Sequence, residues 1–199
     1  MRALLIDGHP DQGRLLSQLL DAYAAALPPG TEITRLAIRD LDFDPNLRRG
    51  YVEVQPLEPD LETALTAIEA CDHLVLAFPL WWAAEPARVK GFFDRVFLPG
   101  RAFHEHESDP LWDKLLKGRS ADVIVTLDTP LWFLRLVWLD APGRRLRNQL
   151  LGFVGFRPVR LFYCGPTRDR VAERLPGWRA RLERAARQAP GLRRGRRVT

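Results

Sequence analysis

The sequence predicts a doubly wound α/β protein with a parallel sheet, and three observations carry that expectation. Short apolar runs alternate with amphipathic stretches along the chain, and strand, helix, strand connections of this kind build parallel sheets. One of the runs, His73–Phe78, is continuously apolar, as a strand buried on both faces of a parallel sheet must be. The 199 residues, 46% hydrophobic and 28% charged, have a globular composition and enough length for one core without metal or disulfide.

Each element follows in order. ALLID (3–7) is the first strand. From Arg14 to Leu27, residues 15, 16, 19, 20, 23 and 27 share one helix face, and Pro28, Pro29 and Gly30 stop the helix. TEITRLAI (31–38) alternates as a second strand, and Asp40–Pro56 is polar and turn-rich, a loop. Leu57–Cys71 is a second amphipathic helix leading into the strand His73–Phe78. A third helix spans Glu85–Phe97, with Pro86 in a first turn, where a missing N–H costs nothing. Ala121–Leu127 is the fourth strand, Pro142–Val154 a helix, Pro158–Cys164 the fifth strand and Val171–Gln188 the last helix. One domain is expected over 1–190, with a basic and flexible tail over 191–199.

Charge is unevenly spread. Residues 1–134 carry 13 basic and 21 acidic side chains, whereas residues 135–199 carry 17 and 4. A basic patch attracts nucleic acid, anionic lipid or a phosphorylated ligand. The simpler reading is the solvated face of the last helix, since Arg outnumbers Lys 27 to 3 throughout. No zinc finger, RNP motif or recognition-helix pattern accompanies these arginines, so nucleic acid is not an expected partner. The longest apolar stretch, Leu131–Leu139, is nine residues with Arg135 inside it, about half of what spans a bilayer. Two isolated cysteines, Cys71 and Cys164, make no disulfide framework. The four-residue apolar run before Asp7 is too short for a signal-peptide core. A cytoplasmic location is expected.

In such sheets ligands bind beyond the carboxyl ends of the strands, where strand order reverses. After the first strand, Gly8-His9-Pro10-Asp11-Gln12-Gly13-Arg14 runs into a helix whose free N–H groups favour an anion. Its glycine spacing mimics a P-loop, but Arg14 and Leu15 stand where Lys and Ser/Thr belong, which argues against a nucleotide triphosphatase. Turn formation alone also accounts for its Gly, Pro and Asp. After the third strand, Pro79-Leu80-Trp81-Trp82 places two tryptophans at the sheet's mouth, and packing can easily bury only one of two neighbours. A planar aromatic ligand against this loop explains the other. After the fourth strand, Leu127-Asp128-Thr129-Pro130 precedes Trp132 and Phe133, able to close the same pocket. His104, Glu105, His106, Glu107 and Asp109 include metal-capable side chains, but His-x-His without a third ligand at defined spacing does not make a site, and no metal is expected. His73 is expected in the core or at a sheet edge.

The GHP loop, FPLWWxxxPAxxKGFFDRVFLPGxAF (78–103), LLKGRSADVIVTLDTPLWF (115–133) and GFxGFRPVRLFYCGP (152–166) together resemble the flavodoxin-like NAD(P)H:quinone oxidoreductase family, in its bacterial branch, over nearly the whole chain. The resemblance implies a three-layer sandwich with a five-stranded parallel sheet of order 2-1-3-4-5 and helices on both faces. It implies a flavin whose phosphates lie on the loop from His9 through Arg14, Leu15 and Leu16 to Ser17. The ring would lie against Pro79, Leu80, Trp81 and Trp82 and be bordered by Leu127, Asp128, Thr129 and Pro130, with Trp132 and Phe133 lining the substrate pocket. Where the family carries a hydroxyl residue, Phe and Asn in the first loop, this chain has Arg14, Leu15 and Leu16, and the third loop lacks the paired glycines and the downstream Tyr and His that the vertebrate enzymes use to support hydride transfer. No catalytic acid or base is therefore carried over.

The implied activity is two-electron transfer from NAD(P)H through the flavin to a quinone or similar acceptor, by ping-pong kinetics. The sparse hydroxyls of the first loop favour FAD over FMN. The rival reading is a non-catalytic module of the same fold, either an electron carrier or a regulatory subunit of a membrane transporter docking through the basic tail. A homodimer is expected through Leu131–Leu139 and the helix Glu85–Phe97, because so many apolar side chains cannot face one core from a short helix.

Overall fold

In the computed structural model, which describes residues 1–50, 52–106 and 110–192, the elements follow the expected alternation. In chain order they are β1 (Arg2–Asp7), α1 (Leu15–Ala25), β2 (Glu32–Ala37), α2 (Pro59–Ala70), β3 (His73–Pro79), α3 (Ala87–Val96), β4 (Phe103–Glu105), β5 (Trp112–Lys114), β6 (Ser120–Thr126), α4 (Leu131–Leu136), α5 (Ala141–Arg144), α6 (Leu151–Val154), β7 (Val159–Cys164) and α7 (Val171–Gln188). The main sheet has the order β2-β1-β3-β6-β7, with every pair parallel. Counted among its own five strands this is 2-1-3-4-5. Register aligns the carboxyl ends: Asp7 stands opposite Ala77, Pro79 opposite Thr126, and Thr126 opposite Cys164. The loops after β1, β3 and β6 therefore leave from one edge of the sheet.

Alternation along each strand divides the core into two layers. Leu4, Ile6, Leu74, Leu76, Val123 and Val125 pack with α2, α3 and α6 on one face. Ala3, Leu5, Val75, Ala77 and Ile124 pack with α1 and α7 on the other. Burial pushes the thiols of Cys71 and Cys164 up to about 12 and about 11, so neither is an active nucleophile at neutral pH.

Most departures from the expected boundaries have a local cause. Arg14 and Pro86 cap α1 and α3 rather than belonging to them, and α2 begins at Pro59, whose fixed φ suits a first turn. The stretch expected as one helix over Pro142–Val154 is interrupted by a π-helical turn, Arg145–Leu150. The apolar segment Leu131–Leu139 is helical only to Leu136, and Leu139 and Asp140 then adopt left-handed conformations. The hairpin β4–β5 was not expected, since its strands have three residues each and no alternation to read. Residues 193–199, most of the expected tail, lie outside the described residues, as do Glu107 and Asp109.

At the amino ends of the strands a buried polar network links α1 to β3, β6 and β7. Tyr23 donates to Asp122 Oδ2 at 2.5 Å and lies 2.9 Å from His73 Nε2, while His73 Nδ1 meets Ser120 Oγ at 2.8 Å. Arg160 spans both Asp122 oxygens at 2.7 and 2.6 Å. His73 is thus a core residue, at the end of the sheet away from the loops that follow the strands.

Candidate functional site

The first loop is fixed from its carboxylates outward. Asp7, the buried last residue of β1, accepts the His9 N–H at 2.9 Å, the Ser17 hydroxyl at 2.9 Å and Arg39 at 2.9 Å. The last two share Oδ2, so Arg39 neutralises the one carboxylate buried under the loop. Gly8 follows, and a side chain there would meet Val89 at 2.8 Å and the Ala77 carbonyl at 3.0 Å, so only glycine lets the loop approach β3 this closely. His9 Nδ1 caps the Asp11 N–H at 3.0 Å. Arg14 pairs with Asp11, which together with the Gln12 N–H holds the Asp11 carboxyl below its ordinary range.

The start of α1 is open. Its cap residue, Arg14, makes no capping hydrogen bond from its side chain, and the first turn holds no acid. Free N–H groups at a helix start, with the dipole behind them, suit an anion. Of the residues placed here by sequence, His9, Arg14 and Leu15 border this loop. Leu16 is fully buried in the core, so its backbone alone is available to a ligand. The Ser17 hydroxyl is already given to Asp7.

After β3 the chain makes a tight turn. Trp81 and Ala84 exchange both N–H···O bonds, at 2.8 and 3.0 Å, and the two residues between them, Trp82 and Ala83, have φ of 51° and 61°. Two successive left-handed residues that are not glycine are costly, and such strain gathers at functional sites. Packing buries neither tryptophan: Trp81 is 49% exposed and Trp82 fully exposed. Trp81 meets His9 edge to face at 6.3 Å, joining this loop to the first. Pro79 is buried, and Leu80 is tied to β6 through its N–H to Thr126 O at 2.8 Å.

After β6, Leu127 is buried, and Asp128 accepts from the Thr167 N–H at 3.1 Å and its hydroxyl at 2.8 Å. Thr129 and Pro130 remain accessible and lead into α4. There Phe133 is wedged edge to face between Trp132 and Trp138, at 5.5 and 5.1 Å. Trp132, Leu136, Val137, Trp138 and Leu139 are all exposed.

The structure therefore brings the three loops to one edge, where an uncapped helix start, two exposed tryptophans and accessible backbone stand together. Sequence reasoning missed Asp7 and Arg39, which organise the first loop, and Thr167, which orders Asp128. The only cue was chemical: a carboxylate ending an otherwise apolar strand. His104 and His106 lie on β4, their rings 6.0 Å apart, and among the described residues no group of three or more potential ligands assembles.

Comparison with known proteins fits this arrangement. A family described as having a flavodoxin-like fold matches residues 1–188. NAD(P)H dehydrogenase [quinone] 1 of Rattus norvegicus is 23% identical over 95% of this chain and 79% of its own length. The FMN-dependent NADH:quinone oxidoreductase of Cereibacter sphaeroides is 31% identical over 73% of this chain and 76% of its own. The crystal structure of Smu.1420 from Streptococcus mutans superposes with a TM-score of 0.80 at 26% identity, covering 94% of this chain and all of that one.

Proposed function

The chain belongs to the flavodoxin-like fold family, and from that premise we propose that it is a flavin-dependent oxidoreductase that takes electrons from NAD(P)H and delivers them to a quinone or similar acceptor. One observation carries this reading: the loops after β1, β3 and β6 put an uncapped helix start and two exposed tryptophans at one sheet edge. When bound, a flavin supplies the two-electron chemistry between nicotinamide and quinone.

The chain's own residues supply binding and orientation. The N–H groups at the start of α1 would hold phosphate, with Arg14 adding charge at the rim. Trp81 and Trp82 would wall the ring and shield it from water, while the Trp82 and Ala83 N–H groups, which bond to no backbone carbonyl among the described residues, would face its polar edge. Thr129 and Pro130 would border the opposite side, and Trp132 and Phe133 would guide the acceptor. FAD was expected from the hydroxyl-poor first loop, and Ser17 being engaged makes that loop poorer still. The relatives' names give FAD no support, whereas several name FMN. Because an open helix start supplies phosphate donors without hydroxyls, FMN is the reading carried forward.

The homodimer belongs to the same proposal. The hairpin β4–β5 does not cover the apolar face of α4: Trp112 stacks on Phe153 at 4.3 Å and bonds its carbonyl at 2.9 Å. The face including Trp132 and Leu136–Leu139 stays open, beside the site, and a twofold contact through it and α3 would bury it. Steady-state oxidation of NADH and NADPH by a water-soluble quinone, with FMN or FAD added, tests the activity. Turnover is expected; its absence with both flavins would favour a carrier or a transporter-associated module.

A further inference from the structure

The sheet order turns the charge asymmetry of the sequence into one in space. Residues 32–72, which include β2 at one edge, carry 10 acidic and 4 basic side chains; residues 157–192, which include β7 at the other, carry 9 basic and 3 acidic. Some of these arginines serve the fold. Arg160 holds Asp122 and reaches the Ala185 carbonyl at 2.8 Å, Arg174 bonds the Pro166 carbonyl at 2.7 Å, and Arg181 bonds that of Tyr163. Others do not: Arg168, Arg170, Arg179 and Arg184 are exposed and make no ion pair within the described residues, and Arg187 reaches Glu183 only at 3.9 Å.

We propose that this β7–α7 edge docks on an anionic membrane surface, so that the acceptor is a quinone dissolved in the bilayer. The clause about the acceptor rests on the oxidoreductase reading; the docking itself does not. Basic side chains at an anionic surface each add a favourable increment that dies away within a Debye length. The acidic β2 edge would turn away, which fixes the orientation. With α7 lying along the surface, Arg168 and Arg170 come nearest the site, because their loop also carries Thr167, bonded to Asp128 at the pocket mouth. No helix among the described residues is long and apolar enough to cross a membrane, so the contact is electrostatic and reversible.

Flotation of the flavin-loaded full chain with vesicles of phosphatidylcholine, alone or mixed with phosphatidylglycerol, tests this. Binding is expected only to the mixed vesicles and only at low salt. Each cation contributes roughly fivefold, so Arg179→Gln, Arg184→Gln and Arg187→Gln together should weaken binding roughly a hundredfold, with oxidation of NAD(P)H by a water-soluble quinone unchanged. Equal binding to neutral vesicles, no binding to either, an unaffected triple variant, or tighter retention by duplex DNA than by the mixed vesicles would each overturn the proposal. Because flotation needs no turnover, its failure is separable from a failure of the enzyme reading.

Discussion

Ser17 donates its hydroxyl to Asp7 Oδ2 at 2.9 Å, the same oxygen that Arg39 holds at 2.9 Å. The hydroxyl nearest the open start of α1 is thus part of the loop's internal frame. Ser17→Ala should cost about 1 kcal/mol of stability and shift flavin affinity by less than about threefold. Denaturant melts and flavin titration check both numbers, and a much larger loss of affinity would mean that Ser17 turns to the phosphate.

Arg14 is exposed and shared with Asp11, so its pull on phosphate is screened. Arg14→Ala should weaken flavin binding by roughly three- to fivefold at low salt, with the gap from wild type closing as salt rises. Dissociation constants measured across a salt series show whether it does.

The turn after β3 stores strain at Trp82 and Ala83, with φ of 51° and 61°. Ala83→Gly should raise stability by about 1 kcal/mol, since glycine accepts that conformation freely. Trp82→Ala should retain flavin and lower turnover. Weakened flavin retention with turnover per bound flavin unchanged would show that the aromatic wall has been assigned the wrong task.

Asp122 is buried, which alone would raise its pKa, yet His73 and Arg160 hold it below the ordinary carboxylate value. A depressed folded-state pKa adds stability that is complete above the unfolded value, about 3.9, and is lost as pH falls through the folded one. Asp122→Asn, which leaves Arg160 unpaired, should cost about 3 kcal/mol or more at pH 7. The penalty should shrink in acid, a trend read from denaturant midpoints on both sides of pH 4.

Trp138, two residues beyond α4, is 45% exposed. Trp138→Glu should convert a dimer into a monomer of impaired activity, seen by light scattering at micromolar concentration. A wild-type chain that is monomeric and fully active would remove the shared-interface account.

The strands and their order were legible because a parallel sheet buried on both faces leaves near-continuous apolar runs such as Leu74–Phe78. Irregular backbone was less so. Nothing in Arg145–Leu150 announces a π turn, and Leu139 and Asp140 become left-handed where Tyr163 and Arg147 bind the Asp140 carboxylate, a tertiary cause invisible in a local pattern. In the site, the tryptophans could be read because two adjacent large apolar residues in a turn lack a packing solution. Arg39 could not, since its role comes from the pairing of β1 with β2, which places Asp7 opposite Ala37.

The most direct test of the central claim is the absorption spectrum of the purified full chain, recorded anaerobically before and after NADH or NADPH is added. The account predicts flavin bands, present as isolated or restored by titrating FMN or FAD, that bleach on addition of the nicotinamide and return when quinone follows. A colourless protein that binds neither flavin, or a bound flavin that neither nicotinamide bleaches, would contradict it.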